Sequence, residues 1–471
     1  MLNKNTMKVN KVAVFSLIIF AVITIVRNVG RIPWFDEAHV WTIAEQLNFW
    51  DMVVSIKNEG HFFIWPAILY PFAKLHLYPW VMKSINWIFC FCSLIIMWRK
   101  APIHNVIKMF ITFSFPFLGC YGIFARCYSI GIFLLFSIMA IYENRLKYPK
   151  IYALLLILCA NTSVMALIGA TTLGLMFLKD LISEKNKDIC TYLILFAGSI
   201  LIILQMFTNS EFNYVTKMAP FLTSKSILTS TYIQNHFLLN TVLSAIFSVF
   251  IFKYFFKDKK SLFFLMFSYI SILTLAFVFY GIYFWHGYFL YIYLIMAFWL
   301  ANSTLETSKS GLQANIVLGI ISFMLIFNFP IDVKTSEYYN SEAKKILSVI
   351  ENDDILKNAK IIHNSGECYE ALPYTNNKSY KIKNYCSAED NLDYNLFRTR
   401  FSGCVKGDIF GQSQRYPEII KQIADDNTFA YTKQSKTPVK NYAIIAAVGY
   451  NILIKKYKCE ENYCFWKVEI K

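Results

Sequence analysis

The sequence predicts a multi-span α-helical membrane protein with about eleven spans, followed by a carboxy-terminal soluble α/β domain. Three observations predict it. Of 471 residues, 56% are hydrophobic and 16% charged, where soluble domains carry about 25% charged residues. Apolar runs of the kind that cross a bilayer recur through the first two-thirds of the chain. After Pro330 the pattern turns globular: residues 1–330 hold 25 Lys+Arg against 12 Asp+Glu, whereas residues 331–471 hold 21 against 18. The basic excess falls between apolar runs, which is how the positive-inside rule orients a membrane protein. It is not the footprint of a nucleic-acid binder.

The first span is 12–26, behind the basic leader MLNKNTMKVNK. No small-residue cleavage site follows it, so it reads as an uncleaved helix with a cytoplasmic amino terminus. The first outer loop, 28–80, holds an acidic cluster and the stretch HFFIWPAILYPFAKLHLYP at 61–79. Pro66 and Pro71 interrupt that stretch, so it reads as a helix lying in the interface. Further spans are predicted at 81–98, 103–119, 125–142, 151–162, 164–178, 190–207, 236–256, 261–280, 284–301 and 313–329. The basic clusters at 99–100, 143–150, 179–188 and 257–260 then share the cytoplasmic side. The short pair at 151–162 and 164–178 decides the side of the tail, since fusing the two into one helix would reverse it.

In the tail (331–471), EAKKILSVI reads as an amphipathic helix, AKIIHN as a strand and NILIKKYKCEENYCFWKVEIK as a terminal hairpin. There are eleven cysteines. Six (Cys90, Cys92, Cys120, Cys127, Cys159, Cys190) lie in or beside spans as small hydrophobes. Cys459 and Cys464 flank the turn of the hairpin and suit a disulfide if the tail is outside the cytoplasm.

The acids carry the functional signal. Five of the twelve before residue 331 (Asp36, Glu37, Glu45, Asp51, Glu59) crowd into the first outer loop. None lies within a predicted span. Ion-coupled transporters and proton pumps need ionisable groups at mid-membrane, so the pattern points instead to chemistry at the membrane surface. Two roles suit Asp36 and Glu37. A carboxylate at a half-apolar interface can take a proton from an acceptor hydroxyl while its neighbour orients it or holds a cation. Alternatively, Asp36 caps the helix that follows, with Glu37 favourable in its first turn. Sequence leaves both open.

FDEAHVW at 35–41, EGHFFIWPAILY at 59–70 and ARCYSIGIFLLF at 125–136 resemble membrane glycosyltransferases of the C superfamily. The similarity is to the aminoarabinose transferase and protein O-mannosyltransferase types, and it covers roughly residues 10–180. It implies transfer of a sugar, with inversion, from a polyprenyl-phosphate donor to a hydroxyl acceptor on a lipid, glycan or protein. Asp36 would be the general base and Glu37 its support. Lys57, His61 and Arg126 would hold the phosphate, with Glu59, Tyr128 and His286 as further substrate contacts. The resemblance also implies an active site and tail on the extracytoplasmic side of a bacterial inner membrane. The family often has His-Pro-Pro where this chain has His61-Phe62-Phe63, and some members place another acid in the second outer loop, where GCYGIFARCYS has none. A divalent cation is thus an open possibility, with Glu59 and His61 too few to make a site. The rival readings are a transporter or flippase for lipid-linked sugars, a non-catalytic membrane scaffold, and a glycan ligase or polymerase.

Overall fold

The computed structural model describes residues 10–56, 62–77, 80–206, 249–276, 284–304, 309–327, 342–363, 371, 378–381, 428–433, 442–447, 450–460 and 463–470. It is mostly helical. The helices are α1 (Lys11–Asn28), α2 (Phe35–Gln46), α3 (Phe49–Ile56), α4 (Ile64–Lys74), α5 (Trp80–Lys100), α6 (Asn105–Phe113), α7 (Cys127–Ala140), α8 (Pro149–Ala160), α9 (Val164–Ser183) and α10 (Ile189–Met206). They continue as α11 (249–255), α12 (Lys259–Thr274), α13 (Phe284–Thr304), α14 (Lys309–Met324) and α15 (342–351). Four of them, α1, α5, α9 and α10, are long and apolar enough to cross a bilayer. Their outward faces are hydrophobic, with Phe15, Val26, Phe196 and Leu204 more than half exposed, as lipid-facing positions should be.

Close helix contact comes from small residues. A Cβ on Gly169 of α9 would stand 2.7 Å from the Tyr293 ring of α13, and one on Gly131 of α7 would stand 2.9 Å from the Ala166 Cβ. Such positions let helices approach where no hydrophobic drive exists between them. Buried polar side chains are mostly absorbed locally: Thr24, Thr112, Thr172 and Ser322 each donate to the carbonyl one turn back.

Two ends of the helical bundle can be told apart by their contacts. At one end, Arg145 pairs with Asp180, Lys150 with Asp188, and Asn302 donates to the Pro102 carbonyl. This end gathers the basic connections 99–104, 141–150 and 180–188. At the other end, Lys83 of α5 donates to the carbonyls of Asn28 and Arg31 at the exit of α1. There too, Gln205 of α10 meets Asn161 of the α8–α9 turn at 2.6 Å and accepts from the Phe63 N–H at 3.2 Å. The short pair is therefore two antiparallel helices, α8 and α9, turned by Asn161-Thr162-Ser163, with the Ser163 hydroxyl capping α9.

The stretch expected to lie in the interface forms the short helix α4. Its eleven residues reach about 16 Å at 1.5 Å per residue, half a bilayer's hydrocarbon thickness. It lies against α2, where Lys74 Nζ donates to the Glu45 and Leu47 carbonyls at 2.6 and 2.7 Å and so caps the carboxy terminus of α2.

Most of the predicted span 236–256 lies outside the described residues, and the predicted span 103–119 differs from what is seen. In place of a continuous helix over 103–119, α6 stops at Phe113 and a π-helical turn runs from Pro116 to Tyr121. Pro116 has no N–H to continue the α6 ladder. Gly122 closes the turn where a Cβ would sit 2.6 Å from the Phe117 carbonyl oxygen.

In the tail, strands β1 (Lys360–His363), β2 (Lys378–Lys381), β3 (Thr428–Lys433), β4 (Tyr442–Ala447), β5 (Tyr450–Glu460) and β6 (Tyr463–Ile470) form one mixed sheet, ordered β2-β1-β3-β6-β5-β4. The helix, strand and hairpin predicted there are α15, β1 and the β5–β6 pair. Cys464 is disulfide-bonded, and Cys459 stands directly across the ladder from it. A second hydrophobic cluster joins Ala343, Ile346 and Ile350 of α15 to Phe465 of β6, and it includes Ile32, just past α1. The tail thus packs at the end of the bundle that carries the acidic loop.

Candidate active site

The site is built where α1 ends, α2 begins and the segment 114–126 turns into α7. Side chains from three elements pin that segment by its carbonyls. Arg27 Nη1 donates to Leu118 O at 3.3 Å, Asn28 Nδ2 to Gly122 O at 3.0 Å and Asn86 Nδ2 to Tyr121 O at 2.9 Å. Arg31 Nη2 donates to Ile123 O at 2.7 Å.

Glu37 is fully buried, and its carboxylate is saturated. Arg31 grips it in a two-pronged pair, Nη1 to Oε2 at 2.7 Å and Nη2 to Oε1 at 2.8 Å, the strongest geometry open to an arginine and a carboxylate. Oε2 also accepts the Trp34 N–H at 2.6 Å, and Oε1 the Ala125 N–H at 2.6 Å. The helix cap weighed from sequence is thereby resolved. Trp34 is the N-cap residue of α2, Asp36 is not, and Glu37 reaches back to the cap's N–H. Glu37 holds the residue just before Arg126 in place.

Asp36 is then left to face Arg126. The two form an ion pair with side chains 5% and 6% exposed, so both charges are withdrawn from water and each depends on the other. Arg126 lies over the Tyr128 ring at 5.7 Å. The Tyr128 hydroxyl is 2.7 Å from His286 Nε2, and the Trp285 indole N–H donates to the same nitrogen at 3.0 Å. An indole nitrogen can only donate, so Nε2 accepts, and this geometry assigns the His286 proton to Nδ1. Tyr121 Oη donates to the Trp285 carbonyl at 2.8 Å, tying α13 to the pinned segment.

Arg126, Tyr128, Tyr121, Phe124, Trp34 and Trp285 wall a narrow crevice beside this chain of contacts, with a volume of ≈ 20 Å3. That is room for about one water molecule. Trp34 stands edge-on to Trp285 at 5.1 Å and to Phe124 at 6.2 Å. One cation set among aromatic faces suits a ligand with an anionic group and a flat apolar face, such as a sugar phosphate.

Of the residues proposed from sequence, the structure brings together Asp36, Glu37, Arg126, Tyr128 and His286. Lys57, Glu59 and His61 lie outside the described residues. No group of three His, Cys, Asp or Glu side chains that could hold a metal ion occurs among the described residues. Sequence reasoning missed Arg31, Trp34 and Trp285. Trp34 and Trp285 adjoin residues that were noted, and aromatic residues flanking a charged one are the signal that would have found them. Arg31 precedes its partner by six positions across the Ile32-Pro33 step, a spacing that no helix or strand rule pairs.

Compared with protein-family models, curated proteins and solved structures, the chain matches none.

Proposed function

We propose that the chain is an integral membrane glycosyltransferase that moves a sugar from a polyprenyl phosphate to a hydroxyl acceptor, working from the extracytoplasmic face of a bacterial inner membrane. One observation carries the reading. Asp36 and Arg126, ninety positions apart in sequence, meet as a buried ion pair, and Arg126 also walls an aromatic crevice. A structural ion pair needs no such crevice. A transferase needs both parts: a carboxylate to accept the hydroxyl proton and a cation to hold the departing phosphate.

In this mechanism Asp36 takes the acceptor's proton as the oxygen attacks the anomeric carbon. The bond from that carbon to the phosphate oxygen breaks, and polyprenyl phosphate leaves with its charge held at Arg126. Attack opposite the leaving group inverts the anomeric centre. Tyr128 and His286 extend the polar wall, while Trp34 and Trp285 offer faces to the sugar ring. Glu37 acts by position, not on substrate. The tail, read here as a soluble α/β domain, packs beside the site through Ile32, where it can meet the acceptor. The disulfide at Cys464 suits an oxidising compartment and supports that sidedness.

The test supplies membranes with radiolabelled polyprenyl-phosphate sugars and follows label leaving the carrier. Wild type should release label, and Asp36→Asn and Arg126→Ala should lose at least 100-fold, the usual scale for a positioned base or charge stabiliser. Full activity in Asp36→Asn would refute the reading and leave the flippase and scaffold alternatives standing.

A further inference from the structure

The narrow crevice and the buried pair fit together in a way the transfer reading does not by itself require. Arg126 is part of the crevice wall, whereas Asp36, held by the same guanidinium, is not among its described walls. As it stands, Asp36 Oδ2 is engaged by Arg126, and an acceptor in the crevice would meet the arginine first. The crevice itself is narrow, at ≈ 20 Å3. The segment bearing Arg126 is held at its carbonyls and at the Ala125 N–H, which fixes the backbone from which the arginine side chain reaches both Asp36 and the crevice.

We propose that the Asp36–Arg126 pair is a latch opened by the substrate's phosphate. An anionic phosphate entering the crevice competes with Asp36 for the guanidinium, whose fork fits phosphate oxygens as well as a carboxylate. When Arg126 turns to the phosphate, the crevice widens and Asp36 is uncovered beside the reacting centre. The base is thus exposed only when a donor is bound, and water alone finds no active carboxylate. This inference rests on the transferase reading for its ligand, a polyprenyl phosphate, but not on turnover.

Polyprenyl phosphate without a sugar tests the latch with no reaction possible. Binding to the purified full chain is followed by tryptophan fluorescence, since Trp34 and Trp285 wall the crevice. Removing the competing charge in Asp36→Asn should tighten binding about tenfold, and Arg126→Ala should abolish it. Binding to Asp36→Asn that is equal to or weaker than wild type overturns the latch. A measurement on wild type guards against misfolding of the variant. Carbodiimide labelling of Asp36, read by mass spectrometry, should rise several-fold when polyprenyl phosphate is added, and unchanged or reduced labelling overturns the proposal. Inorganic phosphate is the second probe. Opening by either probe supports the latch, and opening by the free ion assigns recognition to the head group alone. If the latch opens but no labelled sugar is ever transferred, the transferase reading fails and the latch survives. If no phosphate compound binds any form, both fail.

Discussion

Glu37→Ala is the sharpest test of how this site is held. The wild-type carboxylate accepts four hydrogen bonds, two from Arg31 and one each from the Trp34 and Ala125 N–H groups. Its removal strands a guanidinium whose side chain is only 11% exposed. Breaking one partner out of a buried ion pair costs about 3–5 kcal/mol, and each orphaned buried N–H about 1–3 kcal/mol. The costs overlap, and water entering the gap offsets part, so the expected loss is about 4 kcal/mol. At roughly 2–4 °C per kcal/mol for larger domains, the unfolding midpoint should fall on the order of 10 °C. The chain supplies its own reporter: Cys90, Cys120, Cys127 and Cys159 are buried free thiols near this region, and a thiol-reactive dye registers their exposure on heating in detergent. The double variant Arg31→Met/Glu37→Ala should lose less than the two single changes together, because the stranded charge goes with its partner. A Glu37→Ala midpoint within the roughly 0.5 kcal/mol of an ordinary surface change would refute the clamp. Additive losses in the double variant would refute the pairing.

Three further outcomes follow from particular contacts. Lys74→Ala removes the cap on α2 and should cost about 1–2 kcal/mol, seen as faster proteolysis between α2 and α4. Gly169→Ala forces a methyl to 2.7 Å from the Tyr293 ring and 3.0 Å from Leu135, and overpacking of that kind should cost about 1–3 kcal/mol in the same thiol assay. In the tail, burial works to raise Asp353. Hydrogen bonds from the Leu356 N–H, Tyr457 hydroxyl and Ile355 N–H, with Lys458 nearby, override it and hold the carboxyl below its ordinary 3.8. A depressed folded value means stability that is present above pH 3.8 and lost as pH falls through the lower folded value. The protection of β5 amides, with the intrinsic exchange rate divided out, should therefore fall at low pH in wild type and change less in Asp353→Asn.

What could be read from the sequence, and what could not, follows the range of the interactions concerned. The helices announced themselves because a bilayer imposes long apolar runs. The α8–α9 turn was readable because Asn161-Thr162-Ser163 is polar and caps a helix. The β5–β6 hairpin was readable because alternation and a central turn are local. The α6 break was a local signal passed over: Pro116, Gly119 and Gly122 fall within seven residues, a spacing that disrupts a helix. Lys83 sits near a predicted span end, where a lysine is expected to snorkel toward the interface. Instead it is 4% exposed and bound to carbonyls of α1, a partner that lies 55 positions away and has no side-chain identity to notice.

The acidic pair shows the limit most clearly. Adjacent acids suggested a base with its neighbour as direct support, yet the fold gives Asp36 and Glu37 different partners because consecutive residues on a helix point about 100° apart. Glu37 turns toward Arg31 and the backbone of 125, and Asp36 toward Arg126. Glu37 carries the clamp while Asp36 pairs with Arg126, and that clamp fixes the loop on which this arginine stands. A catalytic role for Asp36 thus depends on Glu37 having none. If both variants lost transfer with wild-type thermal midpoints, that division of labour would be wrong. If Glu37→Gln lost stability and Asp36→Asn lost transfer, each carboxylate would have the role its contacts assign.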